Sequence, residues 1–260
     1  MTIGPEKAAL RGIGEALATL TCLKSFSYMA HLPIDNPHLA SSVLHQLEHF
    51  RYSVSKGSQR SYGRALDVFR YLGPSCTKIE LRFAKYIEVI QNIAENNAAV
   101  TNSVTDLTLT QVREVGLLHL LCDHFVSLQR LHIYFEDKDL SQNDGQDPVS
   151  LISSDTMAQL TKLTNLRVLI LCHTIIDYHL FDSPPNNVLK CVEMFELGNL
   201  YLWEDDPMYE LETFCKTFAK LMPNLRRLTV HSHEEQLQFT IEEMDKHLKL
   251  FDKLEHYDFS

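Results

Sequence analysis

The stretch that decides the fold is Leu166-Arg167-Val168-Leu169-Ile170-Leu171, with leucine at its first, fourth and sixth positions. The same LxxLxL spacing of apolar residues returns at Leu225-Arg226-Arg227-Leu228-Thr229-Val230. A similar phrase precedes each stretch, Leu163-Thr164-Asn165 in one case and Met222-Pro223-Asn224 in the other. Two apolar positions separated by one residue are typical of a short strand with one buried face. Recurrence of the whole pattern predicts a repeat architecture.

This apolar triple occurs nine times, and its first positions recur every 24 to 38 residues, about 29 on average. Helical signals lie between the triples. Asp35-Asn36 precedes a proline, a helical stretch over 61–72 ends at Gly73-Pro74, and Asp206-Pro207 opens another helix. Helix and strand therefore alternate. The other seven triples are Leu23/Phe26/Tyr28, Leu47/Phe50/Tyr52, Cys76/Ile79/Leu81, Val104/Leu107/Leu109, Leu128/Leu131/Ile133, Val192/Phe195/Leu197 and Leu254/Tyr257/Phe259.

This alternation resembles the leucine-rich-repeat family, and most of all the irregular, helix-containing arrays behind an F-box in ubiquitin-ligase substrate receptors. The resemblance extends from about Ile13 to Phe259. It implies one α/β solenoid domain over 1–260, a curved horseshoe of about nine irregular repeats with parallel strands on the concave face and helices on the convex face. The family pattern continues as LxxLxLxxN/C, whereas no copy here has asparagine or cysteine at that last position. We therefore expect irregular turns.

Charge and composition restrict the class of partner. The formal net charge of -10, from 24 basic and 34 acidic residues, repels nucleic acid and anionic membrane surfaces. No apolar run approaches the roughly 18 residues of a membrane span, and the six cysteines are scattered without a CxxC pair. We expect an intracellular protein, cytoplasmic or nuclear, that binds neither nucleic acid nor membrane.

The positions that flank the buried strand residues are expected to lie on the concave face. In the first repeats these positions are mostly basic or aromatic, and in the next repeats they are apolar. A charged, aromatic patch beside an apolar stripe is typical of protein-binding surfaces. The alternative is that the charges are simply solvated and an insertion covers the aliphatic side chains. The predicted partner-binding residues are His49, Arg51, Lys78, Glu80, Arg82, Arg130, His132, Tyr134, Val168, Ile170 and Met194.

Two long repeat steps contain insertions, an acidic one over 136–147 and another over 203–209. Both follow a strand, so we expect them on one rim of the solenoid, where insertions commonly contribute to binding. Trp203, the only tryptophan, is a candidate partner anchor, and packing onto its own helix is the alternative. A calcium loop beginning at Asp139 fails, because Asp144 and Ser150 hold the positions of the required glycine and glutamate.

Known catalytic and metal-binding motifs are absent from the sequence. His231 and His233 lie close in sequence, as do His119, Cys122 and His124, but neither set has four ligands at a zinc spacing. The sequence contains no GxSxG, HExxH, GxxxxGK[ST] or GxGxxG motif. We predict no catalytic residue, no metal and no cofactor. An enzyme whose residues converge from distant repeats is the remaining alternative.

The resemblance implies a function. A concave face behind an F-box would select a protein target for ubiquitin transfer, although no F-box is visible beyond the dipeptide Leu32-Pro33. The alternative is a leucine-rich-repeat scaffold or regulatory adaptor unrelated to ubiquitin. The final triple is followed only by Ser260. Because an uncovered strand edge is a template for pairing, we also expect edge pairing or self-association at the C-terminal strand.

Overall fold

The computed structural model describes residues 12–30, 37–54, 68–82, 86–113, 116–136, 151–177, 179–182, 184–200, 211–232 and 240–259. The chain divides into two compact units, Met1–Leu109 and Thr110–Ser260, and the division falls within a strand. A single domain over 1–260 stays a prediction.

The first unit alternates helices with parallel strands. Strands β1 and β2 pair in parallel, as do β2 and β3, so strand order follows chain order. Each strand begins two residues after the first residue of a triple, as the sequence predicted. The elements are α1 (Gly12–Ala18), β1 (Ser25–Ala30), a 3₁₀ helix (Pro37–Ala40), α2 (Ser41–His45), β2 (His49–Val54), β3 (Lys78–Arg82), α3 (Tyr86–Asn96), α4 (Ala98–Ser103) and β4 (Asp106–Val112), which crosses into the second unit.

The second unit continues the alternation. Its strands β5, β7, β9, β10 and β11 pair in parallel in that order, and a separate short pair, β6 with β8, was not predicted. The elements are α5 (Leu117–His124), β5 (Arg130–Phe135), β6 (Leu151–Ile152), α6 (Ser154–Leu160), β7 (Val168–Cys172), β8 (Ile175–Ile176), α7 (His179–Asp182), β9 (Met194–Leu200), α8 (Leu211–Leu221), β10 (Arg227–Ser232), α9 (Ile241–Leu248) and β11 (His256–Phe259).

The apolar triples form the core of each unit. Every residue of the triples at Leu47, Cys76, Val104, Leu128, Leu166, Val192 and Leu225 is at most 2% exposed. The strand register explains this burial, because neighbouring strands lie about 4.8 Å apart and equivalent triple residues therefore stack side by side. Leu131, Leu169, Phe195 and Leu228 form one such row. The first and last triples are partly open, and Tyr257 is 38% exposed.

The helices close the other side of this core. In α8, Phe214, Phe218 and Leu221 are buried, and the rings of Phe195 and Phe218 lie 5.3 Å apart. This confirms the helix predicted after Asp206-Pro207 from Leu211 onward. The helix predicted over 61–72 lies mostly outside the described residues. The longest described helices, α3 and α8, have 11 residues each, and no helix in the described ranges is long and apolar enough to cross a membrane.

A regular backbone link connects the starts of successive strands. Lys24 O accepts hydrogen bonds from the N–H groups of Glu48 at 2.8 Å and His49 at 3.1 Å. The bond recurs at the same repeat position in both units, so it contributes a ladder that depends on no particular side chain. The other carbonyls that accept two such bonds belong to Glu48, Thr77, Gln129, Arg167, Glu193 and Arg226.

Side-chain amides form a second ladder that the sequence analysis missed. Asn165 and Asn224, the asparagines of the shared phrase, and Gln46 each stand immediately before a triple. Each donates to a backbone carbonyl two residues before the preceding triple, and such a bond contributes about 0.5–1.5 kcal/mol. The bonds run from Asn165 Nδ2 to Val126 O at 3.2 Å, from Asn224 Nδ2 to Lys190 O at 2.6 Å, and from Gln46 Nε2 to Thr21 O at 2.5 Å.

Candidate functional site

The outward positions of the second-unit strands form three rows across the sheet, which we call the second-unit face. Because side chains alternate along a strand, residues in register on neighbouring strands project from the same side. Two of the rows run from β5 to β11, and the third ends on β9. The rows are Arg130, Val168, Met194, Arg227 and His256; His132, Ile170, Glu196, Thr229 and Asp258; and Tyr134, Cys172 and Gly198.

The first row of this face combines apolar and basic side chains. Val168 and Met194 are half-buried, whereas Arg130 and Arg227 on either side of them are exposed. Two aliphatic or thioether side chains are thus flanked by guanidinium groups. Such an arrangement offers a partner both apolar contact and charge-assisted hydrogen bonds.

The other two rows are more closed. Ile170 is 7% exposed, so this predicted contact residue occupies an outward position but is buried. Gly198 lies beside Cys172, and a Cβ atom at Gly198 would stand 2.6 Å from Cys172 Sγ. Glycine therefore permits the close approach of this strand to its neighbour. Burial and nearby negative charge raise the pKa of Tyr134 above its usual 10.0, so its hydroxyl stays a neutral donor.

A compact ionic group lies on β2 and β3 of the first unit. Glu80 is contacted by three basic side chains, and its own side chain is 22% exposed. We call Glu80, His49, Arg51 and Lys78 the Glu80 cluster. The distances to the Glu80 carboxylate oxygens are 3.1 Å from Lys78 Nζ, 3.3 Å from His49 Nε2 and 3.4 Å from Arg51 Nε.

The strand register holds this cluster together. His49 is the cross-strand partner of Lys78, and Arg51 is the partner of Glu80. His49 Nε2 is close to the Glu80 carboxylate but does not form a hydrogen bond with it. The other ring nitrogen of His49, Nδ1, lies 3.3 Å from Ser25 Oγ on β1. Three strands therefore position the imidazole.

Electrostatics at Glu80 favour the ionised carboxylate. Burial by itself raises the pKa of Glu80, but the hydrogen bond and charge of Lys78, with the charges of His49 and Arg51, outweigh it and lower the pKa below 4.5. A carboxyl group with a lowered folded-state pKa stabilises the fold above its unfolded-state pKa. That stabilisation is lost as the pH falls through the folded-state pKa.

Most of the predicted contact residues occupy outward strand positions, as the repeat template indicated. They form two groups, one in each unit, whereas Trp203 lies outside the described residues. Further outward positions on β9, β10 and β11 complete the second-unit face and were not among the predicted contact residues. The same alternation of side chains along each strand would have identified them. These residues are Glu196, Arg227, Thr229, His256 and Asp258.

The candidate metal ligands that the structure describes form no metal-binding group. Within the described ranges, no group of three or more His, Cys, Asp or Glu side chains is placed to hold a metal ion. His119 Nε2 lies 3.0 Å from Asp155 Oδ2, and Cys122 is buried. The pair of His231 and His233 is untested, since residue 233 lies outside the described residues.

The cysteines fall into a buried and an exposed group. Burial raises the pKa of Cys172 to about 11 and that of Cys76, Cys122 and Cys215 to about 12. Cys22 and Cys191 are exposed. Because the thiolate is the reactive form, we expect maleimide to modify Cys22 and Cys191 in the native protein and to spare the other four. Peptide mass spectrometry before and after unfolding in urea measures this. Rapid native labelling at Cys215 or Cys122 would contradict the placement of α8 or α5.

Comparison with known proteins supports the fold class. No protein-family model matches the sequence, and no curated protein matches it. The chain is similar to the crystal structure of the leucine-rich repeat-containing protein LegL7 from Legionella pneumophila, with a TM-score of 0.52 and 13% sequence identity over 90% of this chain and 72% of that chain. At this identity the similarity concerns the fold alone. Together with the parallel strands in chain order, it confirms the predicted α/β leucine-rich-repeat solenoid.

Proposed function

We propose that this chain is a protein-interaction module whose outward strand side chains contact a protein partner. The first row of the second-unit face carries the proposal, because Val168 and Met194 are half-buried between exposed Arg130 and Arg227. Protein interfaces are enriched in methionine and arginine and place apolar contacts within a polar surround. Repeat solenoids use such extended strand faces for binding.

The test places a charge in the middle of this row. Met194→Glu is expected to lower retention of the native partner at least tenfold, because the carboxylate replaces an apolar contact and can pair with Arg227, its cross-strand neighbour, so that both side chains are lost to the partner. The measurement is quantitative mass spectrometry of proteins captured by the tagged chain, wild type against variant. Val126→Glu is the matched control, since Val126 lies outside the strands of the same unit, is 47% exposed and undergoes the same change of charge. Equal retention by both variants would exclude this face as the binding surface.

The finer form of the proposal is target recognition by an F-box-like ubiquitin-ligase substrate receptor. The resemblance of the sequence to such receptors supports this form. The F-box-like dipeptide Leu32-Pro33 lies outside the described residues. The alternative is a scaffold or regulatory adaptor without a connection to ubiquitin. Co-purification of the whole protein with Skp1-type adaptor and cullin subunits supports the receptor. Retention of a partner that depends on Met194, without those subunits, supports the scaffold.

A further inference from the structure

The Glu80 cluster concentrates positive charge on an acidic protein. All three outward positions of β3 are charged, as Lys78, Glu80 and Arg82, and those of β2 are His49, Arg51 and Ser53. Within the cluster, Arg51 and Lys78 carry two positive charges against the single negative charge of Glu80. The cluster itself is thus net positive, although Asp106 begins the neighbouring strand β4. The whole chain has a formal charge of -10, so the sign of the cluster is opposite to that of the chain.

The internal carboxylate also lies between two basic side chains. His49 and Lys78 stand directly opposite each other on neighbouring strands, where side chains are close enough to interact. Glu80 Oε1 approaches both side chains, at 3.3 Å and 3.1 Å. The position of Glu80 Oε1 is therefore a binding position for a carboxylate oxygen. A carboxylate of another chain can interact with the same basic side chains.

We infer that the Glu80 cluster binds an acidic segment of the protein partner, with Glu80 competing for the basic side chains that the partner's carboxylates use. This inference rests on the proposed function and names the chemistry of the partner. The side chains of Arg51 and Lys78 are 58% and 40% exposed, so their outer surfaces are open to a second carboxylate. Exposed ion pairs are weak, and exchange from Glu80 to an incoming carboxylate therefore costs little.

The strand register also prepares the basic side chains for that exchange. Long basic side chains lose rotamer freedom when they bind, and here the pairing of β2 with β3 already places them on one side of the sheet. Arginine then offers a carboxylate a planar fork of donors. An acidic peptide fits this small surface better than nucleic acid, because a phosphate backbone extends far past two strands and meets the negative charge of the rest of the chain.

The probe is a fluorescein-labelled peptide of alternating Glu and Gly, with a Gln-Gly peptide as its uncharged counterpart. Fluorescence anisotropy with the whole protein is expected to show binding of the Glu-Gly peptide alone, weakening as salt rises, since the screening length falls with ionic strength. Arg51→Gln combined with Lys78→Gln is expected to lower the affinity about tenfold or more. Absence of binding to the wild-type protein at low salt would overturn the inference.

The sharper test is Glu80→Gln, which removes the competing carboxylate and keeps the shape of the side chain. We expect the affinity for the Glu-Gly peptide to rise about two- to fivefold, the range set by an exposed ion pair. Glu212→Gln is the matched control, because Glu212 is also a half-buried glutamate in an ion pair, with Lys216 on helix α8 and not on a strand, and undergoes the same change of charge. Its affinity is expected to stay at the wild-type value. If Glu80→Gln binds no better than Glu212→Gln, Glu80 does not compete and the inference is wrong.

The two proposals fail in different ways. Loss of partner retention in Met194→Glu, together with no binding of the acidic peptide, would leave the proposed function standing and overturn the acidic-segment inference alone. An RNA or DNA oligonucleotide that binds in place of the peptide, and is released by the Arg51 and Lys78 substitutions, would overturn it in favour of nucleic acid. Thermal unfolding of each variant checks that it is folded. If Glu80→Gln does not fold, the single variant Arg51→Gln tests the same surface, since its affinity must fall.

Discussion

Leu169→Ala is expected to lower the free energy of unfolding by about 3 to 5 kcal/mol, and Leu228→Ala by about 2 to 3 kcal/mol. Both leucines are 0% exposed, so each substitution removes buried methyl groups and leaves a cavity. Leu169 stacks between Leu131 and Phe195, which are themselves fully buried. Leu228 stacks between Phe195 and the partly exposed Tyr257. The site at Leu228 relaxes more easily, and its cavity therefore costs less.

Urea unfolding followed by circular dichroism measures both effects. Arg227→Ala is the matched control, because Arg227 neighbours Leu228 on β10 but is exposed, and surface changes of this kind stay within about 0.5 kcal/mol. An effect at Arg227 as large as that at Leu228 would mean that the inward and outward positions of β10 are exchanged. The reverse order of the two leucines would contradict the tighter packing around Leu169.

Gly73→Ala is expected to destabilise the first unit by about 3 kcal/mol, the upper part of the range for forcing atoms into a packed site. A Cβ atom at Gly73 would stand 2.1 Å from the backbone oxygen of His45, the last residue of α2. That oxygen belongs to the main chain, so the whole end of α2 has to move. In the sequence, Gly73-Pro74 predicts only the end of a helix, whereas the structure requires glycine at position 73 because two segments approach closely.

Thermal and urea unfolding of Gly73→Ala, with Ser75→Ala as an exposed control two residues away, measures this effect. The double variant Gly73→Ala with His45→Ala separates the sources of the clash. Removing the imidazole relieves contacts at 2.8 Å with the ring but leaves the backbone oxygen in place. We therefore expect no recovery beyond a small part of the loss. Full recovery would show that the side chain alone excludes a Cβ atom.

Features that depend on neighbouring residues in the sequence could be predicted, whereas contacts between distant residues could not. The triples at Leu166 and Leu225 predicted β7 and β10, because a period of two residues places side chains on opposite sides of a strand whatever the surroundings. Asn165 and Asn224 were visible in the repeated phrase, but their bonds run to carbonyls 39 and 34 residues away along the chain. Their role became apparent only once the repeats were stacked.

The outward side chains of the sheet show the same difference between local features and contacts across strands. Alternation along each strand was enough to place Arg51, Glu80, Val168 and Ile170 outward. Whether an outward residue is open to a partner depends on its neighbours on adjacent strands, and for this reason Ile170 is buried while Val168 is only half-buried. Whether a charge is solvated or paired depends on register, which aligned His49 with Lys78 and Arg51 with Glu80. The sequence by itself determined the repeat, its strands and the inward residues, because these follow from local periodicity. Only the tertiary structure decided which side chains meet across strands, because one residue of register changes every such contact.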